Sequence, residues 1–175
     1  VFANGQLANE YTPVLKAFDN RGNRIDAVEF HPSWHVFSSW CKSYGLISSP
    51  FESNIPLRWS YTAANFILQS QVEAGAMCPA TMTLACIPLI AREPELWHLL
   101  KDKLLSRAYD QRDIPIAEKK SVWIGMGMTE KQGGSDVRTN TTIATPIAEP
   151  GRGKAYLIRG HKWFFSAPMC DAHLV

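Results

Sequence analysis

Two short segments in the last third of the chain carry the residue types that ligand binding and chemistry most often need. Residues 126–136 end an apolar run in hydroxyl and small residues, and residues 160–166 do the same further along. Glycine turns present backbone N–H groups to anions, and aromatic side chains can cover one face of a flat cofactor. We predict that both segments edge one cleft, of the kind that a planar ring such as a flavin requires.

Each candidate in the first segment also has a plainer interpretation. Glu130 could act as a general base, or it could only accept structural hydrogen bonds. The pair Gly125 and Gly127 fails as a dinucleotide fingerprint, because the third glycine would fall at position 130. Gly133-Gly134 could bind an anion or form an ordinary hairpin turn.

Metal chemistry has little support in the sequence. His31 and His35 are four residues apart, but no third ligand accompanies them, so packing or helix capping is favoured. The four cysteines form no Cys-x-x-Cys pair, which argues against a zinc ribbon and favours a reducing compartment. We predict no metal site.

Composition excludes several classes of protein. The 175 residues are 46% hydrophobic, which rules out disorder and fits one ordinary domain or slightly more. The 18 basic and 16 acidic residues give no basic surface of the type that binds nucleic acid. The longest apolar run is interrupted by Pro88 and is too short to span a membrane.

The elements that must position the two segments change along the chain. Apolar spacing predicts helices over residues 32–44, 57–78 and 94–108, and another that begins at Pro79 after the previous helix has ended. Gly45 is the predicted stop of the first of these helices, and Pro88 should bend or shorten the helix that contains it. The first two thirds therefore look helical.

The pattern becomes strand-like after a polar joint at residues 109–120. Strands are predicted over residues 122–128, 141–147, 155–158 and 163–165, separated by glycine turns. The fold class is therefore α+β, with an N-terminal helical domain over residues 1–120 followed by the first strands of an antiparallel β-domain over residues 121–175. Both ends of the chain look cut, so we expect a piece of a longer protein.

The two segments together resemble signatures of the acyl-CoA dehydrogenase superfamily. Thr129-Glu130, followed by Gly133-Gly134-Ser135-Asp136, is similar to the first signature, although Thr139 replaces a smaller residue. Residues 160–166 are similar to the second. Residues 30–35, 71–75, 124–137 and 140–142 resemble the AidB-like branch of that superfamily.

The resemblance implies FAD as cofactor and assigns positions around it. Met128 and Thr129 would face the flavin pyrimidine edge, while Gly134 and Ser135 would lie toward its pyrophosphate or toward the acyl-CoA thioester arm. The ring would be lined by Phe164, Phe165 and Ser166, with the Ser166 hydroxyl near the reactive nitrogen. Ser135 would thus also be a substrate-binding residue.

The resemblance also implies an activity, namely α,β-dehydrogenation of an acyl-CoA thioester in fatty acid metabolism. The catalytic base would lie in a C-terminal helical bundle outside this chain, so no catalytic residue is assigned. The alternative is a flavin-containing protein that binds acyl-CoA or responds to DNA alkylation with little turnover. Implied partners are acyl-CoA, the C-terminal bundle of the same protein, further copies in a homotetramer or homodimer, and DNA through the missing region. The expected location is cytoplasmic, with a mitochondrial one left open.

Overall fold

The computed structural model describes residues 1–175, which contain five α-helices. In chain order these are α1 (Phe2–Glu10), α2 (Pro32–Ser43), α3 (Arg58–Ser70), α4 (Met77–Ile90) and α5 (Pro94–Leu104). Short 3-10 turns lie at Ser49–Phe51, Ile116–Glu118 and Val137–Thr139. No helix combines the length and the apolar character that crossing a membrane would require.

Six short strands form three separate two-stranded sheets. The strands are β1 (Val14–Phe18), β2 (Arg24–Glu29), β3 (Ile124–Met126), β4 (Ile143–Pro146), β5 (Tyr156–Arg159) and β6 (Ala172–Leu174). β1 pairs antiparallel with β2, β4 pairs antiparallel with β5, and β3 pairs with β6. Helices accompanied by small antiparallel sheets confirm the predicted α+β class.

The chain divides into two compact units. The helical unit comprises Val1–Gly125 together with Ala167–Ala172, and the motif unit comprises Met126–Ser166 together with His173–Val175. All five helices belong to the helical unit, and both predicted site segments lie within the motif unit.

An apolar core holds the helical unit together. Phe37, Leu46, Ile87 and Leu104 are each at most 1% exposed, and full burial of such a side chain stabilises a fold by about 1.5–3 kcal/mol. Lys42 is buried among them, where its Nζ donates to the Val122 carbonyl at 2.8 Å. Burial lowers the pKa of Lys42 to about 8, because the charged form loses its hydration.

Helix α2 matches the prediction closely because its boundary signals are local. His31 caps its start, and the imidazole Nδ1 accepts a hydrogen bond from the Ser33 N–H at 3.2 Å. Gly45 follows the end with φ +66°, a left-handed conformation that glycine adopts without strain. Packing and capping are both open for His31 from the sequence, and the structure shows that it caps the helix.

The single helix predicted over residues 57–78 is wrong, since two helices share this stretch. α3 ends at Ser70 and α4 begins at Met77. Between them the Glu73 carboxylate accepts hydrogen bonds from the N–H groups of Gly75 at 2.5 Å and Ala76 at 2.9 Å. Those bonds stabilise a turn where the apolar spacing alone suggested continued helix.

Two proline-related expectations have different outcomes. Pro79 was predicted to end one helix and open the next, but it lies inside the first turn of α4, where its missing N–H costs no helix hydrogen bond. Pro88 lies inside α4, which ends two residues later at Ile90, as the predicted shortening requires. α5 also ends earlier than predicted, at Leu104 rather than Ala108.

The β1–β2 hairpin corrects the prediction that the first two thirds are helical. Its turn is held by the Asp19 carboxylate, which accepts from the N–H groups of Arg21 and Asn23 at 2.8 Å each. Gly22 adopts φ +81° within the turn. Most residues of both strands are exposed. Because neither face of the hairpin is buried in a core, its sequence has no clear alternation of apolar and polar residues from which the strands could be predicted.

The strand predicted over residues 163–165 is also wrong. Only the preceding residue, Lys162, makes an isolated bridge, which pairs it with Glu130. Phe164 has φ +51°, which turns the chain out of an extended conformation. The predicted strands at 122–128 and 141–147 are present in shortened form as β3 and β4, and the strand predicted at 155–158 is β5, shifted by one residue.

Candidate functional site

The first motif segment forms a loop closed by a reciprocal pair of backbone hydrogen bonds. The N–H of Glu130 donates to the Gly133 carbonyl, and the N–H of Gly133 donates to the Glu130 carbonyl, each at 3.1 Å. A Cβ at Gly133 would lie only 2.5 Å from the Asp136 carbonyl oxygen and 2.6 Å from Thr139 Oγ1. Glycine is therefore required here by close packing.

Hydrogen bonds join the second motif segment to the first. The Trp163 N–H donates to the Thr129 carbonyl at 2.8 Å. Lys162 Nζ donates to Glu130 Oε1 at 3.2 Å and to the Met128 carbonyl at 3.4 Å. The fold thus brings together two segments that are distant in the sequence, since Lys162 lies 32 positions after Glu130.

Glu130 is the buried centre of this arrangement, with 2% of its surface exposed. Its carboxylate accepts from the N–H and hydroxyl of Thr141 at 2.7 and 3.0 Å, and from the same groups of Thr142 at 3.0 and 2.6 Å. Gln132 donates to it at 2.7 Å. These donors, with the backbone N–H of Thr141 first, hold the pKa of Glu130 far below its usual range.

A carboxylate bound in this way is a poor general base. Its lone pairs are occupied and its proton affinity is low, whereas a base needs a free lone pair and a pKa near the working pH. Of the two interpretations open for Glu130, the geometry favours structural hydrogen bonding.

Four of the predicted site residues lie at or near the surface of the motif unit. Phe164 is 86% exposed and Met128 is 53% exposed. The side chains of Ser135 and Ser166 are exposed, and neither hydroxyl forms a hydrogen bond within the chain. Apolar side chains and unengaged hydroxyls are therefore available for a ligand.

The other three predicted residues are packed against neighbours. Gly134 lies beside Thr129, since a Cβ on the glycine would sit 3.3 Å from Thr129 Cγ2. The half-buried Phe165 ring contacts Gly127, where a Cβ would overlap it, and its centroid is 4.7 Å from that of His173. No hydrogen bond connects Ser135 or Ser166 to the opposite segment.

Sequence reasoning gave no role to the run Asn140-Thr141-Thr142, which proves central. Besides the two threonines at Glu130, Asn140 Nδ2 donates to the Met128 carbonyl at 2.7 Å, while its buried Oδ1 has no partner within the chain. The available signal was a cluster of small hydrogen-bonding residues directly after the motif. No group of three or more His, Cys, Asp or Glu residues could hold a metal ion.

Comparison with known proteins assigns the chain to one family. A family described as the adaptive response protein AidB N-terminal domain matches residues 1–111. AidB of Escherichia coli (strain K12), which is named an acyl-CoA dehydrogenase, is 44% identical over 98% of this chain and 31% of its own length. Acyl-CoA dehydrogenase family member 11 of Caenorhabditis elegans is 30% identical over 97% of this chain and 27% of its own length.

Two solved structures are similar in three dimensions. The apo-form of Bd2924 superposes with a TM-score of 0.83 and 27% identity, covering 98% of this chain and 33% of its own. The Caenorhabditis elegans ACDH-11 structure, solved in complex with C11-CoA, gives a TM-score of 0.76 and 27% identity, covering 92% of this chain and 26% of its own. The chain thus spans between about a quarter and a third of the length of these relatives.

Proposed function

The chain belongs to the AidB N-terminal domain family within the acyl-CoA dehydrogenase superfamily, and on that premise we propose that it supplies part of an FAD site. The protein would be an FAD-dependent acyl-CoA dehydrogenase of the AidB-like branch. When bound, FAD would accept the hydride that leaves the β carbon of an acyl-CoA thioester. The base that removes the α proton would come from outside this chain.

The residues of the motif unit fit a flavin in chemical type. Exposed Phe164 and Met128 offer apolar surface, and the free hydroxyls of Ser135 and Ser166 offer hydrogen bonds. The unpartnered Oδ1 of Asn140, beside the Met128 carbonyl, adds an acceptor that a ligand N–H can meet. A ring system with apolar faces and polar edges needs this combination.

Each predicted site residue has a role in the proposal. Met128 and Thr129 face the pyrimidine edge, and Gly134 and Ser135 face the pyrophosphate or the thioester arm. The ring is lined by Phe164, Phe165 and Ser166, with Phe165 held in place by its contact with Gly127.

One observation carries this proposal, namely the Trp163 N–H to Thr129 carbonyl hydrogen bond of 2.8 Å. It holds the two motif segments side by side, and the Glu130 carboxylate fixes the loops around them. Preorganised loops bind a ligand with a smaller entropic cost than mobile ones.

The test is the flavin content of the full-length protein. Replacing both Thr129 and Ser166 by Val should lower the FAD occupancy several-fold, as measured by the absorbance band in the blue after purification. Thr145→Val, an exposed position in β4, is the matched control and should retain full occupancy. Normal occupancy in the correctly folded double variant would refute these site assignments.

The adaptive-response description of the matching family favours a second candidate. In it the protein binds flavin and acyl-CoA with little turnover and acts in the response to DNA alkylation, with DNA contacted by a region outside this chain. Anaerobic addition of acyl-CoA separates the two functions, because bleaching of the flavin indicates dehydrogenation and tight binding without bleaching indicates the second candidate. For both candidate functions we propose a homotetramer or homodimer, located in the cytoplasm or in mitochondria.

A further inference from the structure

A cavity of about 250 Å³ lies within the helical unit and has no part in the proposed flavin site. It is bounded by β2, by α2, by the segment that follows α5 and by the Pro168–Cys170 stretch. Two more open hollows, of about 670 and 500 Å³, share Phe30, His35 and Gln111 with it. Because they share these walls, we treat the three as one recess and call it the aromatic recess.

Aromatic rings make up much of its wall. Phe30 and Trp34 stack with ring centroids 4.0 Å apart, and Tyr109 meets Trp123 edge to face at 6.4 Å. His35 Nδ1 and the Tyr109 hydroxyl share a hydrogen bond of 2.6 Å, which fixes the tyrosine ring in the wall. The rings are therefore held by packing before any ligand enters.

The basic residues in the wall are already neutralised. Arg112 forms a bidentate pair with the buried Asp110 at 2.7 and 2.8 Å. Lys119 Nζ pairs with Asp171 Oδ1 at 2.6 Å, and both of these side chains are buried. Lys16, which lines one of the open hollows, pairs with Glu29 at 3.3 Å. None of these three cations is free to recruit an anionic ligand.

The remaining charge of the recess is negative. Asp113 lines the cavity, is exposed and forms no ion pair within the chain. Asp26 is also in the lining, and its partner Arg24 is not. Burial lowers the pKa of His35, which favours the neutral imidazole.

We propose that the aromatic recess binds a small organic cation, a quaternary or methylated ammonium group. The aromatic rings of the wall and the unpaired Asp113 carboxylate both attract such a group, and its methyl groups bury against the apolar wall. An anion would meet Asp113 without a free cation to offset it, and a neutral apolar ligand would gain nothing from that carboxylate.

Choline is the probe, and isothermal titration calorimetry of the full-length protein is the measurement. Its control is the carbon isostere in which a tert-butyl group replaces the trimethylammonium group, so that shape is kept and charge is lost. We expect choline to bind about tenfold more tightly than the isostere. Equal affinity of the two, or no choline binding at millimolar concentration, would overturn the proposal.

Two variants locate the binding. Asp113→Asn should weaken choline binding by about threefold at low salt and leave the isostere unaffected. Asp102→Asn, an exposed acid of α5 outside the recess, is the matched control and should bind choline normally. Identical choline affinity in Asp113→Asn and wild type would contradict the charge assignment, and flavin occupancy in both variants keeps this result separate from the flavin proposal.

Discussion

The two units of this protein are stabilised in different ways. Every buried apolar side chain lies in the helical unit, while Glu130 is the one buried side chain other than glycine in the motif unit. In the first unit many interchangeable apolar contacts share the stabilisation. In the second, a single carboxylate gathers donors from Gln132, two threonines and Lys162.

This difference has a functional consequence. We call the Glu130 carboxylate and its donors the hydrogen-bonded hub. It fixes the course of the loops without covering them, so the side chains around it stay exposed. Phe164, Ser135 and Ser166 are all exposed in the motif unit, as ligand binding demands. In the helical unit, by contrast, the apolar side chains are buried in the core, where they stabilise the fold but cannot contact a ligand.

The largest predicted effect is on the core of the helical unit. Phe37→Ala should lower the free energy of unfolding by about 3–5 kcal/mol, because the fully buried ring leaves a cavity. Urea unfolding followed by tryptophan fluorescence measures it. Leu99→Ala, at a 55% exposed position on α5, is the control and should cost under about 0.5 kcal/mol. Similar losses for both variants would contradict the core assignment.

An intermediate effect is expected at the hub of the motif unit. Glu130→Gln keeps the shape but turns an amide NH₂ toward donors, so the melting temperature should fall by several degrees. Amide hydrogen exchange at Thr141 and Thr142 should become about tenfold faster. Glu149→Gln, at an exposed site, should change neither quantity. Unchanged exchange in Glu130→Gln would show that the carboxylate does not organise the loops.

The same hub predicts a response to acid. Because its pKa is lowered on folding, ionised Glu130 contributes stability above its ordinary value of 4.5, and this contribution is lost as the pH falls further. The melting temperature of the wild type should therefore decline more steeply below that pH than the melting temperature of Glu130→Gln. Parallel profiles for the two proteins would contradict the prediction.

The smallest predicted effect is a loss of stability at high pH, caused by a buried thiol in the helical unit. Burial raises the pKa of Cys41 to about 12 from an ordinary 9.0, so the unfolded chain loses this proton first. The free energy of unfolding should fall as the pH rises above 9, and between pH 9 and pH 10 this thiol should account for a loss of about 1 kcal/mol. Urea unfolding of Cys41→Ala should show a shallower decline than Cys78→Ala, which removes an exposed thiol. Equal slopes in the two variants would exclude the buried thiol as the cause.

The sequence alone determined the features whose signals are local. The His31 cap, the Pro32 start and the Gly45 stop define α2 within one stretch of chain, and all three are as predicted. The two motif segments could likewise be selected from residue types and spacing, and the family that they resemble is the one shown by the match over residues 1–111. Helix ends and ligand motifs are readable because neighbouring residues supply both partners.

Tertiary structure decided what depends on partners distant in sequence. The buried Lys42 ammonium finds its hydrogen-bond partner in the Val122 carbonyl, 80 positions further along the chain, which no local pattern encodes. Glu130 is structural because its donors arrive from positions up to 32 residues away. The aromatic recess is assembled from four separate stretches of chain. Spacing along one segment cannot reveal such convergence, because only folding sets the distances between segments.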